Sequence, residues 1–131
     1  MTILLGIFLI LHGLVHLLYA GQSWRLFELR SGMLWPDGSW LFSALLGDGP
    51  TRYLASISLA LAALGFIVGG LGLFFGQAWW RPATVGVTVF SAVIFLMLWN
   101  GKFQAMDDQG GVGLLINLVL LGVVLLLKWP A

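Results

Sequence analysis

Residues 2–19 read TILLGIFLILHGLVHLLY. The run is apolar apart from Thr2, His12, His16 and the Tyr19 hydroxyl, and it carries no acid, lysine or arginine. An α-helix needs about 20 such residues to cross about 30 Å of hydrocarbon, so the stretch predicts a membrane span. A secretory signal would also be apolar, but this run has no basic segment at its start. Leu18-Tyr19-Ala20 also puts a bulky leucine where cleavage needs a small side chain, so the run is expected to stay as a first span.

Leu54 to Phe75, Val85 to Trp99 and Val112 to Leu127 are three further apolar stretches of similar kind. Of the 131 residues, 60% are hydrophobic and 8% charged, whereas roughly a quarter are charged in a soluble domain. Mean hydropathy is +1.03. A water-soluble fold cannot hide that much apolar surface. The expected fold is therefore all-α, an integral membrane four-helix bundle in one domain, 1–131, with spans at about 2–20, 53–76, 80–100 and 111–128. The lipid bilayer is the first partner this implies. Trp79, Trp80 and Pro82 mark an interfacial start to the third span, which makes a tight hairpin around Gly76 and Gln77.

Charge and cysteine content exclude several functions. Six basic residues are scattered singly and the net charge is +1, so no nucleic-acid patch or polybasic lipid cluster forms from sequence neighbours. With no cysteine, thiol catalysis, iron–sulfur ligation and thiolate zinc sites are excluded.

The connection 21–52 is the only long one, and it is studded with Trp24, Leu26, Phe27, Leu34, Trp35, Trp40, Leu41 and Phe42. It is expected to lie on the membrane, with Ser23 capping a short helix through Arg30 and Ser39 capping another that ends at Gly47. It reads either as an amphipathic connector or as a lid over a site. Arg25, Arg30, Arg52 and Lys102 fall on the side of this connection, face A, while Arg81 and Lys128 fall on the opposite face B. By the positive-inside rule face A is cytoplasmic, by a margin of one charge once the terminal amine is counted.

Small residues set the expected packing. Gly65-x-x-x-Gly69 and Gly72-x-x-x-Gly76 mark the second span as the central element, and Gly6, Gly13 and Ala20 recur along the first. Such seams serve packing within the chain or a dimer face.

His12 and His16, four residues apart, stack on one helix face with about 6 Å of rise between them. An ionisable side chain at membrane depth is costly, so it faces the interior and marks a candidate site. The candidate ligand-binding set is His12, His16, Tyr19, Arg52, Ser56, Ser58, Trp99, Asn100 and Asn117, all in the face A half of the expected topology. Three readings stay open. Neutral imidazoles can hydrogen-bond across helices to Ser56, Ser58, Asn100 or Asn117. The set can hold a quinone or a lipid headgroup. His12 and His16 can also ligate a metal or tetrapyrrole, although zinc needs further ligands, for which Asp107 and Asp108 are the acids at hand. Two histidines on one face cannot hold a single haem iron between them. Lys102, Asp107 and Asp108 otherwise read as a solvated turn, and no catalytic set can be assigned.

At His12-Gly13-Leu14-Val15-His16, at Leu98-Trp99-Asn100-Gly101-Lys102-Phe103 and at Asn117-Leu118, the chain resembles a group of small bacterial four-span membrane proteins. That group carries H-G-x-x-H in its first span and a Trp, Lys-Phe-Gly and Asn series at the third hairpin. Here Gln104 to Gly111 follows Phe103 where the group has glycine, a departure that bears on the equivalence of that hairpin. More distantly the layout is similar to DoxX-type proteins. The resemblance implies a bacterial inner (cytoplasmic) membrane protein and carries no activity or cofactor with it. The functional expectation is a structural or accessory subunit of a larger membrane assembly, or a self-associating protein. The alternative is a membrane-embedded binding protein or enzyme for a hydrophobic ligand at the histidines.

Overall fold

The computed structural model describes residues 2–103 and 110–128. It contains α1 (Thr2–Ser23), α2 (Phe42–Leu46), α3 (Asp48–Phe74), α4 (Trp80–Leu98) and α5 (Gly111–Leu121), with α5 running on through a π-type turn, Gly122–Leu126. No strand occurs among the described residues. Helices α1, α3 and α4, of 22, 27 and 19 residues, are long and apolar enough to cross a membrane. At 1.5 Å per residue they measure about 33, 40 and 28 Å. The fourth apolar helix differs from expectation: it covers Gly111–Leu126 rather than 111–128 and is shorter than the other three, about 24 Å.

Local chemistry explains where the helices stop. Helix α1 ends because Arg25 adopts φ 63°, so that the Leu26 and Arg25 amides turn back to the Gly21 and Gln22 carbonyls at 3.0 and 3.1 Å. Glycine normally takes that position. Here the Arg25 guanidinium compensates by donating to the carbonyls of Gln22 (3.0 Å), Leu34 (2.6 Å) and Trp35 (2.8 Å). Helix α3 ends in the same motif with Gly76 at φ 64°, where the Gln77 amide donates to Gly72 O at 2.9 Å and the Gly76 amide to Leu73 O at 3.2 Å. The α3–α4 hairpin thus turns where the sequence expects it. At the far end of α5, Arg81 Nη1 donates to Val124 O at 2.8 Å, placing a cation on the carbonyls that the π-type turn exposes.

Helix α3 is the central element, packed between α1 and α4, and α5 packs on α4. Its glycines divide the work in a way the motifs do not announce. The G-x-x-x-G residues Gly65 and Gly69 face Val87 and Thr84 of α4, and Gly72 faces Trp79 and Trp80. Gly70 and Gly13 form the seam with α1: a methyl group at Gly70 would meet Gly6 O at 2.9 Å, and one at Gly13 would meet Ala63 O at 2.9 Å. One apolar core cluster joins all four helices through Leu9, Phe66, Trp80, Val87 and Leu120, among others. A second lies beneath the first connection and contains Trp35, Leu59, Ile94, Phe95 and Leu98.

The first connection differs from expectation in its first half. No helix runs from Ser23 to Arg30; Ser23 is instead the last residue of α1. Side chains organise the segment in place of helical hydrogen bonds. Gln22 donates to Met33 O (3.0 Å) and Trp35 O (3.3 Å) and accepts from the Leu29 amide (2.9 Å). The second half follows expectation in part: α2 stops at Gly47, but it begins at Phe42 with Leu41 in the cap position, and Ser39, two residues earlier, accepts from the Phe42 amide through Oγ at 3.1 Å. The Ser39 hydroxyl also donates to Met97 O at 2.6 Å, fastening the connection to the end of α4.

Candidate functional site

His12 and His16 follow Leu5 and Leu9 along the buried stripe of α1, and their exposures are 5% and 1%. The register that buries the leucines therefore carries both imidazoles into the centre of the bundle. There they belong to a ring of hydrogen bonds. His16 Nδ1 lies 2.8 Å from His12 O, and since a carbonyl only accepts, the proton sits on Nδ1. His16 Nε2 is then the acceptor, and the Ser91 hydroxyl of α4 donates to it at 2.6 Å. Asn117 Nδ2 of α5 donates to Ser91 Oγ at 2.9 Å. Asn117 Oδ1 accepts from His12 Nε2 at 2.9 Å, which returns the circuit to α1.

With one proton on each imidazole, every donor in this ring points at an acceptor. Ser91 and Asn117 are both fully buried at 0% exposure. Phe66 contacts both imidazoles edge-on or tilted at 4.7 and 4.9 Å between centroids, and Phe95 closes on His16 at 5.5 Å. The ring is therefore polar, buried and walled by aromatic side chains, a setting in which each hydrogen bond is strengthened and each missing one is costly.

Of the candidate residues, the structure brings together His12, His16 and Asn117. Tyr19 stands one turn along α1 and packs edge-on against Trp35 (5.2 Å) and Phe95 (5.3 Å), between the ring and the first connection. Arg52 and Ser56 lie on α3 nearer face A, where Ser56 Oγ donates to Arg52 O at 2.8 Å. Ser58 is buried on α3 outside the ring. Trp99 and Asn100 serve the turn after α4 and not the histidines. Trp99 Nε1 donates to Lys102 O at 3.0 Å, and Asn100 Oδ1 accepts from the Lys102 amide at 2.9 Å. Asp107 and Asp108 lie outside the described residues.

Ser91 is the ring member that sequence reasoning missed. A signal for it exists: Thr84, Thr88 and Ser91 repeat at helical spacing and are buried together on one face of α4. Asp37 was missed as well. Its carboxylate joins Arg25 Nη2 (3.0 Å) to Arg52, which grips it through Nε (2.7 Å) and a second nitrogen. This bridge ties the connection to the tops of α1 and α3. Nearby, the Ser43 hydroxyl and the Gly38 amide both donate to the Asp48 carboxylate, at 2.6 and 3.0 Å.

Above the ring, Trp35 (2% exposed) stacks at 6.0 Å on Phe95 and plugs the face A end. Three openings flank this plug, one of them, of about 430 Å³, lined by Met33, Leu34, Trp35, Asp37, Gly38, Asn100 and Lys102. A cavity of about 310 Å³ is lined by Ser23, Trp24, Arg25, Gly49, Arg52, Tyr53 and Ser56. A mostly apolar groove of about 550 Å³ runs between α1 and α3, past Leu17, Gly21, Phe27, Ala60, Leu61 and Leu64.

Among the described residues, no group of three His, Cys, Asp or Glu side chains is placed to hold a metal. No protein-family model, curated protein or solved structure matches the chain.

Proposed function

We propose that the chain crosses the bilayer four times and serves as a structural or accessory subunit of a membrane assembly, with the histidines acting as an internal latch. The observation that carries this reading is the closed ring of His12, Asn117, Ser91 and His16, which links α1, α4 and α5. Interhelical hydrogen bonds of this kind join helices where lipid supplies no hydrophobic drive. The distribution of polarity agrees with a bilayer. Histidine, serine, threonine and asparagine occupy the interior, while Ile3, Leu4, Leu11, Ile57, Leu61, Leu64 and Leu115 are exposed. The shorter α5 spans by local thinning of the bilayer, at a modest cost per ångström.

Association with other subunits, or with a second copy, is supported by glycines that no described residue packs against. Gly86 on α4, Gly113 on α5 and Gly122 at its end have open space where a side chain would stand, and small residues are where membrane helices approach one another. The alternative, a quinone, lipid or tetrapyrrole held against the histidines, would need a ring nitrogen turned to a cavity. Both His16 nitrogens and His12 Nε2 are taken by protein partners instead.

The test is purification of the protein from native membranes in mild detergent, with mass spectrometry of co-purifying chains and an ultraviolet–visible spectrum. Stoichiometric partner chains, or a homo-oligomer, with no chromophore are the expected outcome. A monomer carrying a quinone or tetrapyrrole that is lost in His16→Phe would replace this reading with the ligand-binding one.

A further inference from the structure

The cavity beside the Trp35 plug has one buried polar group in its wall that no described residue completes. Ser23 is fully buried, and its hydroxyl has no hydrogen-bond partner among the described residues. Buried side-chain hydroxyls are nearly always partnered, so an orphan of this kind points to a group that completes it. The other polar groups of the wall are satisfied. Arg25 donates to the carbonyls of Gln22, Leu34 and Trp35 and to Asp37, Arg52 grips Asp37, and Ser56 donates to Arg52 O. Asp37, with Asp48 held beside it through Gly38, balances the two guanidiniums in charge. The group that Ser23 lacks is therefore an uncharged acceptor.

Trp24 and Ser56 line both this cavity and the α1–α3 groove, so the polar end opens directly into an apolar trough. Trp24 and Tyr53 meet edge-on at 5.8 Å, and such aromatics sit at headgroup level. Ser23, the residue before Trp24 and the last of α1, stands where the hydrocarbon begins. At 0% exposure its hydroxyl is reached only when a neighbouring side chain shifts, and Trp24 and Tyr53, 54% and 63% exposed, can turn. Along α3 the trough runs from Ser56 to Leu64, a rise of about 12 Å against about 15 Å for half the hydrocarbon core.

We propose that cavity and groove together hold one ester-linked glycerolipid, chosen by its ester region and indifferent to its headgroup. An ester carbonyl accepts from Ser23, and the acyl chain attached to that carbonyl lies in the trough between α1 and α3. Three features select this occupant. The orphan donor needs an acceptor, the balanced charges give an anion no advantage, and an ester carbonyl is the uncharged acceptor that a lipid carries where its hydrocarbon begins. The inference rests on the membrane reading above, and it places the lipid apart from the histidine ring.

The experiment is native mass spectrometry of the full chain released from detergent with equimolar dioleoylphosphatidylcholine and its ether-linked analogue, which has the same headgroup and chains but no carbonyl. One lipid per chain is expected, with the ester form preferred about fivefold, the worth of one neutral hydrogen bond. Ser23→Ala should abolish the preference while both lipids are still retained. The preference is a ratio within one spectrum, so a partial loss of folded protein does not alter it. Ala60→Trp, which fills the trough without touching a polar group, should reduce retention of both lipids severalfold. Dioleoylphosphatidylglycerol should be held no better than dioleoylphosphatidylcholine. Equal retention of ester and ether forms, the result if water alone completes Ser23, would overturn the proposal. So would an ester preference that survives Ser23→Ala, retention indifferent to Ala60→Trp, or a severalfold preference for phosphatidylglycerol. Retention of the chain in carbonate-washed membranes reports the bundle reading separately.

Discussion

Ser91 is the residue on which the buried ring turns, since it donates to His16 and accepts from Asn117. Removing its hydroxyl leaves His16 Nε2 without a donor and the Asn117 amide without an acceptor. Ser91→Ala should therefore destabilise the protein by about 1–3 kcal/mol, with measured values for hydrogen bonds in membrane proteins favouring the lower end. The His12–Asn117 pair allows a sharper test, because replacing both partners of a buried hydrogen bond by apolar groups costs less than orphaning either one. In reversible unfolding in mixed micelles, His12→Phe with Asn117→Leu should be less destabilised than the sum of the two single variants. Strict additivity would show that the 2.9 Å contact carries no coupling.

At the scale of the element, the seams are set by where a glycine meets backbone and where it meets nothing. A methyl group at Gly13 would stand 2.9 Å from Ala63 O, so Gly13→Ala must push α1 away from α3. Overpacking of that kind costs about 1–3 kcal/mol. Gly86 has nothing within 4 Å, so Gly86→Ala should instead stabilise α4, by about 0.5–1 kcal/mol through helix propensity alone. Thermal unfolding of the two variants in one detergent checks the contrast. If Gly86→Ala lowers the midpoint, a helix from another chain occupies that face, which would locate the proposed association.

The whole molecule is closed at face A by a connection that is held down at four residues. Trp35 is buried on Phe95, Ser39 is bonded to Met97 O, Trp40 donates to Leu96 O and Trp99 O, and Asp37 is clasped by Arg25 and Arg52. Removing the clasp alone should let the segment lift while the helices stay packed. Asp37→Asn is expected to raise the rate of tryptic cleavage at exposed Arg30 severalfold, with little change in the helical circular dichroism. An unchanged cleavage rate would mean that Trp35, Ser39 and Trp40 hold the connection without the clasp.

Hydropathy and spacing were enough to read the helical class, the α3–α4 turn at Gly76 and the inward register of His12 and His16, because each depends on local chemistry within a few turns of one helix. The short helix late in the connection and its stop at Gly47 were legible for the same reason, although Leu41 and not Ser39 takes the cap position. The partners of the histidines were not. Asn117 was one of four candidates that the sequence ranked equally, and Ser91 lies 75 positions from His16, so only the packing of α4 and α5 against α1 decides the ring. The same holds for Arg25, whose left-handed backbone and carbonyl contacts displace the helix its neighbours would otherwise form. It holds again for Gly70, which meets α1 while the G-x-x-x-G glycines beside it meet α4. Periodicity says which residues turn inward; what they meet there is decided by tertiary structure, because hydrogen bonds and close approaches depend on positions set by every helix at once.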